Sequence, residues 1–161
     1  MTTDVVILGG GNVGDVTARL GSAEMLISER IGAVVARSDW HTTEPWGFES
    51  ERSFTNRAYV VRTEMAATEV LEILLDIEAE LGRNRTEEYR NKVLCRQSYA
   101  NRAIDLDILL YGNEVVVTPH LQVPHPHLLE RDFALVPMCQ ALGIEIAEGR
   151  ELVIKIVKNE I

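Results

Sequence analysis

Short apolar runs and helical periods alternate along this chain. Residues 5–8 form an apolar run rich in β-branched side chains, as a buried strand requires. Over 15–31 the apolar positions are Val16, Leu20, Ala23, Ile27 and Ile31, a helical spacing weakened by Gly21 and Ser22. Residues 33–38 read as a strand, and 40–52, polar and punctuated by Pro45 and Gly47, as a loop. A strand follows over 54–63, centred on Val60 and Val61. Thr68 predicts the N-cap of a helix running to Leu81, closed by Gly82. Residues 83–102 have no clean period and are long for a connection, a length usually reserved for functional or disordered loops. A strand over 103–111 ends at a Gly112-Asn113 turn, after which 114–118 can pair back. Pro124 and Pro126 interrupt the chain. Residues 128–142 predict a helix broken or kinked at Pro137, and 151–158 fit either a strand or a helix.

The order strand, helix, strand, strand, helix, strand predicts an α+β fold with a ferredoxin-like βαββαβ core, a mostly antiparallel sheet with helices packed on it, and C-terminal additions. This bears on the first motif. Gly9-x-Gly11-x-x-Gly14 after an apolar run, with Glu29 some distance on, matches a dinucleotide fingerprint. A dinucleotide fold needs strands and helices to alternate throughout, whereas here two strands are consecutive. The glycines are therefore expected to make a tight turn between the first strand and helix.

Length adds that 161 residues suit one domain, spanning 1–161. The net charge of −9 argues against a nucleic-acid partner. No apolar run is long enough to span a membrane, and no basic segment precedes the first apolar run as in a secretory signal. Cys95 and Cys139 lack metal-ligand spacing and read as free thiols of a reducing compartment, so a cytoplasmic location is expected.

The chemistry concentrates late in the chain. In Ile104-Asp105-Leu106-Asp107-Ile108-Leu109-Leu110, strand alternation puts Asp105 and Asp107 on one face and Ile104, Leu106, Ile108 and Leu110 on the other. Adjacent carboxylates suit a hard divalent cation such as Mg²⁺; a bare D-x-D is otherwise the solvent face of a half-buried strand. On the helix over 68–81, Glu78 falls on the stripe of Leu71, Leu74, Leu75 and Leu81, where it needs a partner or reaches out to water. Between 83 and 102 six cations face only Glu87 and Glu88, a local excess of +4. Arginines beside metal-binding carboxylates suit a polyphosphate, and alone they would be a solvated loop. His125-x-His127 lacks a third ligand at zinc-site spacing.

Together these segments resemble the 6-hydroxymethyl-7,8-dihydropterin pyrophosphokinase family of folate biosynthesis. The resemblance is carried by Gly11-Asn12-Val13-Gly14-Asp15, Thr43-Glu44-Pro45-Trp46-Gly47, Phe54-Thr55-Asn56 and Ile77-Glu78 through Gly82-Arg83. Arg102 through Gly112, Val123 through His127, and Glu130-Arg131-x-Phe133 complete it. The resemblance implies transfer of pyrophosphate from ATP to the hydroxymethyl oxygen of the pterin, with AMP leaving. It implies two Mg²⁺ ions held by Asp105 and Asp107, and catalytic roles for Asp107, Arg85 and Arg102. Thr43, Trp46, Phe54, Asn56 and Phe133 would form the pterin pocket, the two phenylalanines stacking on the ring. Glu78, Arg85, Arg102, Ile108, His125 and Arg131 would face ATP. Residues 83–102 would be a long mobile lid. ATP and the pterin would be the only partners of a monomer or weak homodimer.

The family's R-W-G-P-R before the acidic strand is here Gln97-Ser98-Tyr99-Ala100-Asn101-Arg102, and the lid is longer by several residues. Two other readings stay open: a related phosphoryl- or nucleotidyl-transferring enzyme, and a binding module that kept the scaffold without turnover.

Overall fold

A computed structural model describes residues 1–43, 53–83 and 102–159. Strand β1 (Thr3–Gly11) leads to helix α1 (Val16–Arg30), then β2 (Gly32–Arg37), β3 (His41–Thr43), β4 (Phe54–Thr63), α2 (Ala67–Glu80) and β5 (Asp105–Tyr111). The order in the sheet is β2-β4-β1-β5, antiparallel at each pairing, with β3 added beside β4. This is the ferredoxin-like core expected. Beyond it lie a small hairpin of β6 (Val116–Val117) and β7 (Gln122–Val123), a 3-10 turn over Leu128–Glu130, and helices α3 (Asp132–Leu142) and α4 (Ile146–Val157).

Apolar side chains of both sheet faces are buried. One cluster joins Val5, Ile7, Tyr59, Val61, Leu106 and Ile108 to Leu20 and Ile27 of α1 and Val70, Leu74 and Ile77 of α2. The other joins Val6, Leu8, Ala58, Val60, Leu109 and Leu110 to Leu135 and Met138 of α3 and Val153 and Ile156 of α4. Layers on both sides explain why β1 is a continuous apolar run rather than an alternating one. Among the described residues no helix is long and apolar enough to cross a membrane.

Several expectations change. Gly9, Gly10 and Gly11 do not form the expected turn: β1 runs through them, and they pair with Arg57, Asn56 and Thr55. The turn falls at Gly14, whose φ of 70° favours a residue without Cβ, and Asp15 caps α1 by accepting from the Ala18 amide at 3.1 Å. Helix α2 starts two residues earlier than Thr68 implies: Ala66 is its cap residue, and the Glu69 carboxylate accepts from the Ala66 amide at 3.4 Å. Gly82, with φ 103°, follows the C-cap Leu81 as expected. Leu75 is exposed, so the buried stripe of α2 is Val70, Leu74, Ile77 and Glu78.

Strand β3 lies inside the expected loop, where Thr42 and Thr43 supply β-branched side chains. Strand β5 starts at Asp105 rather than residue 103. Its alternation breaks at a bulge: Ile108 pairs with Ile7 and Leu110 with Val6, leaving Leu109 extra. Leu109 and Leu110 therefore share the α3–α4 cluster, and the expectation that Leu110 faces with Ile108 fails. The segment after Gly112 pairs with β7, and among the described residues it bridges to β5 at Tyr111–Glu114. The expected helix over 128–142 is a 3-10 turn followed by α3, which continues through Pro137, and the tail is helical.

Candidate active site

One end of the sheet gathers the polar residues. There the start of β4, the end of β1 and the start of β5 lie side by side, with Gly10 paired to Asn56 on one side and Asp105 on the other. Asn56, Asp105 and Asp107 face the α3–α4 side, as their registers with Gly10 and Leu8 require. Gly10 leaves the floor between them open; a Cβ there would overlap the Asn56 Oδ1 atom and sit 3.2 Å from its Cγ. Asn56 is 6% exposed. Phe54, two residues before it, shares that face, and its strand partner is Thr43. The segments 44–52 and 84–101 both join elements at this end, and Trp46, Arg85 and Cys95 lie outside the described residues, as does the lid between its end residues Arg83 and Arg102.

Asp105 is the electrostatic centre. Arg83 Nη1 donates to its Oδ1 at 2.7 Å and Arg102 Nη1 to its Oδ2 at 3.1 Å. The same Arg83 nitrogen reaches Glu78 Oε2 at 3.0 Å. Glu78 is 2% exposed and its Oε2 also accepts from the Leu106 amide at 2.8 Å. Leu106 lies on the open edge of β5, so Glu78 satisfies an amide that the sheet leaves unpaired. A buried charge needs such partners, which explains why this stripe position tolerates a carboxylate. Arg83 was not singled out from the sequence as a site residue. Its place three residues after the end of a helix carrying Glu78 was the available signal.

The two aspartates titrate apart. Burial opposes ionisation of Asp105, but Arg102 and Arg83, with hydrogen bonds from Asp107 and Arg83, hold its carboxyl below the usual range. Burial, then the charge and hydrogen bond of Asp105, push Asp107 well above it. A carboxyl whose proton affinity is raised by its neighbour is a site short of positive charge, which a divalent cation with oxygen ligands would supply. Among the described residues no three His, Cys, Asp or Glu side chains gather as a metal site.

The remaining candidates border this face. The His125 amide donates to Leu109 O at 3.0 Å, which lays this segment along the open edge of β5. Burial, then Arg131 and His127, lower the His125 pKa. Phe133, in the first turn of α3, is 37% exposed, with the Arg131 guanidinium 5.7 Å from its ring centre. Ile108 differs: its side chain lies in the α1–α2 cluster at 4% exposure, so any part it plays at the site falls to its main chain.

The fold recurs in solved structures. The crystal structure of Plasmodium falciparum HPPK-DHPS with pteroate shares the fold at a TM-score of 0.66 and 13% identity, over 98% of this chain and 45% of that one. A second, of its A437G form with SDX-DHP, gives 0.67 at 15% identity, over 98% and 46%. The chain thus spans under half the length of those structures. Residues 6–143 match the model of the 7,8-dihydro-6-hydroxymethylpterin-pyrophosphokinase (HPPK) family. The 2-amino-4-hydroxy-6-hydroxymethyldihydropteridine pyrophosphokinase of Porphyromonas gingivalis is 38% identical over 130 residues, covering 80% of this chain and 84% of its own. Those of Bacillus subtilis and Methylorubrum extorquens are 36% and 37% identical, covering 81% and 89% of this chain and 73% and 85% of their own.

The chain belongs to the 7,8-dihydro-6-hydroxymethylpterin-pyrophosphokinase family. It is an enzyme of folate synthesis, a diphosphotransferase that passes pyrophosphate to hydroxymethyldihydropterin.

Proposed function

We propose that ATP is the donor and that the reaction takes place over the sheet end built by Gly10, Asn56, Asp105 and Asp107. The hydroxymethyl oxygen of the pterin attacks the β-phosphorus of ATP as the bond to the α,β-bridging oxygen breaks. AMP departs with that electron pair, and the hydroxyl proton is released. The observation that carries this reading is the carboxylate pair on the same face as buried Asn56, with Arg83 and Arg102 already on Asp105. A planar ring with an amide-like edge fits beside Asn56, stacked by Phe54 and Phe133, with Thr43 and Trp46 adding main-chain contacts. Glu78, Arg85, Arg102, His125 and Arg131 face the nucleotide, joined by the main chain of Ile108.

Asp105 and Asp107 would hold Mg²⁺, two ions in all, and the raised proton affinity of Asp107 supports that fit. Bound there, the metal offsets charge on the polyphosphate and aligns it for in-line attack. Closing residues 83–102 over the phosphates would exclude water from the reaction. The protein acts in the cytoplasm as a monomer or weak homodimer, and its charge of −9 supports an absence of nucleic-acid partners.

The experiment is a coupled assay of AMP release from ATP and Mg²⁺, with and without 6-hydroxymethyl-7,8-dihydropterin. Pterin-dependent AMP is expected, abolished in Asp105→Ala and Asp107→Ala. Full rates in both variants would overturn the assignment of the carboxylates.

A further inference from the structure

The loop after β1 has no part in the site described so far, although it carries Gly14, the last glycine of the motif that opens the chain. Its buried residue is Asn12, 4% exposed. The Asn12 amide donates to Arg102 O at 3.0 Å, and the Arg102 amide donates to Asn12 Oδ1 at 2.8 Å. Both main-chain polar groups of Arg102 thus end on one residue, although 90 positions separate the two. Arg19, from the first turn of α1, completes the clasp: its Nη1 donates to Val13 O at 2.6 Å and to Ala103 O at 2.7 Å. The approach is close enough to need glycine beside it, because a Cβ on Gly11 would lie 2.6 Å from Ala103 O.

The clasp fixes the main chain of Arg102 and leaves its head group for other work. Its Nη1 rests on Asp105, and its Nε is buried with no partner among the described residues. A long side chain loses rotamer freedom when it engages a ligand. Anchoring its backbone beforehand lowers that cost, and it also sets the direction from which the guanidinium approaches the carboxylate pair.

We infer that Asn12, backed by Arg19, is a positioning residue for Arg102, and that the loop after β1 thereby sets how tightly the polyphosphate is held. This rests on the proposed contact between Arg102 and the nucleotide. A purely structural turn would lower stability without distinguishing the two ligands, and its effect would not depend on Arg102.

The test is calorimetric binding of α,β-methylene-ATP with Mg²⁺ to Asn12→Ala, Arg102→Ala and the double variant, followed by titration of 6-hydroxymethyl-7,8-dihydropterin into each analogue-saturated protein. Loss of one hydrogen bond behind Arg102 predicts a roughly three- to tenfold weaker analogue in Asn12→Ala, with pterin affinity unchanged. In the Arg102→Ala background the Asn12 substitution should have no further effect on the analogue. Equal losses with and without Arg102, or a matching loss of pterin affinity, would overturn the inference. If Arg102→Ala alone leaves the analogue at full affinity, the proposed nucleotide contact itself fails and the inference falls with it. Should Asn12→Ala not fold, Arg19→Ala takes its place in the same cycle. There too a loss that vanishes in the Arg102→Ala background is expected, and unchanged affinity would refute the clasp.

Discussion

Replacing Gly10 by alanine tests the geometry of the site with a single methyl group. Gly10 lies in strand β1 with an ordinary backbone conformation, so alanine meets no strain in the main chain. The added Cβ would instead overlap Asn56 Oδ1 and crowd Thr55 O at 3.3 Å. Main chain cannot retreat within a paired strand, so the Asn56 amide must rotate away. Overpacking of this kind costs about 1–3 kcal/mol. Alanine in a strand recovers about 0.5–1 kcal/mol relative to glycine. The net loss of stability is therefore small, about 0–2.5 kcal/mol, and the protein stays folded. Pterin recognition suffers more, because a displaced Asn56 loses its contacts with the ring edge, each worth about 0.5–1.5 kcal/mol. Two such contacts correspond to roughly five- to hundredfold in affinity. Calorimetry with 6-hydroxymethyl-7,8-dihydropterin and the protein saturated with α,β-methylene-ATP measures this directly. Gly21→Ala is the control: a Cβ there has no neighbour within 4 Å, and alanine should raise stability by about 1 kcal/mol without changing binding. Wild-type pterin affinity in Gly10→Ala would refute the reasoning. If Asn56→Ala then lost affinity, the fault would lie in the predicted displacement; if it did not, in the assignment of Asn56.

Three further outcomes are expected. Tyr59 is fully buried and its hydroxyl has no partner among the described residues, so Tyr59→Phe should raise stability by about 1 kcal/mol in denaturant unfolding; a loss of 2 kcal/mol would reveal a hydrogen bond to that hydroxyl. His125 has a depressed pKa in the fold, so the unfolded chain binds the extra proton first as pH falls, and stability should decline as pH drops below about 6.5. His125→Gln should flatten that part of the melting-temperature profile, and an unchanged slope would assign it to other groups. Phe133→Ala should weaken pterin binding by roughly tenfold through lost stacking, while leaving the melting temperature nearly unchanged because the ring is 37% exposed.

Much of this arrangement was legible because local pattern and tertiary packing agree. Strand β4 spans the residues its pattern predicts, and the element order sufficed for the topology, since two consecutive strands exclude a doubly wound sheet. The acidic pair was legible because alternation holds over Asp105–Asp107. What escaped depends on partners distant in sequence. Gly9 to Gly11 read as a turn because their composition favours one, whereas a Cβ at each would meet a neighbour: Leu20 at Gly9, Asn56 at Gly10, Ala103 at Gly11. Glu78 was ambiguous until Leu106 and Arg83 supplied its partners. Strand β3 is three residues long and shows only as two threonines, a signal that pairing with β4 decides.

The bulge at Leu109 means that β5 is written in two phases. Before it, even-numbered residues enter the α1–α2 core and the odd-numbered aspartates face the site. After it the parity reverses, so Leu110 meets α3 and α4 while Tyr111 turns to the other layer. The two halves answer to different constraints, one to chemistry and the other to packing, and Leu109 separates them. A substitution within either half perturbs one residue. A deletion of Leu109 would remove the extra residue and leave Ile108 and Leu110 as consecutive partners of Ile7 and Val6, a regular strand with the aspartates, Leu110 and Tyr111 on their present faces. The strand therefore carries one more residue than its pairing with β1 requires, and Leu109 serves the α3–α4 layer alone.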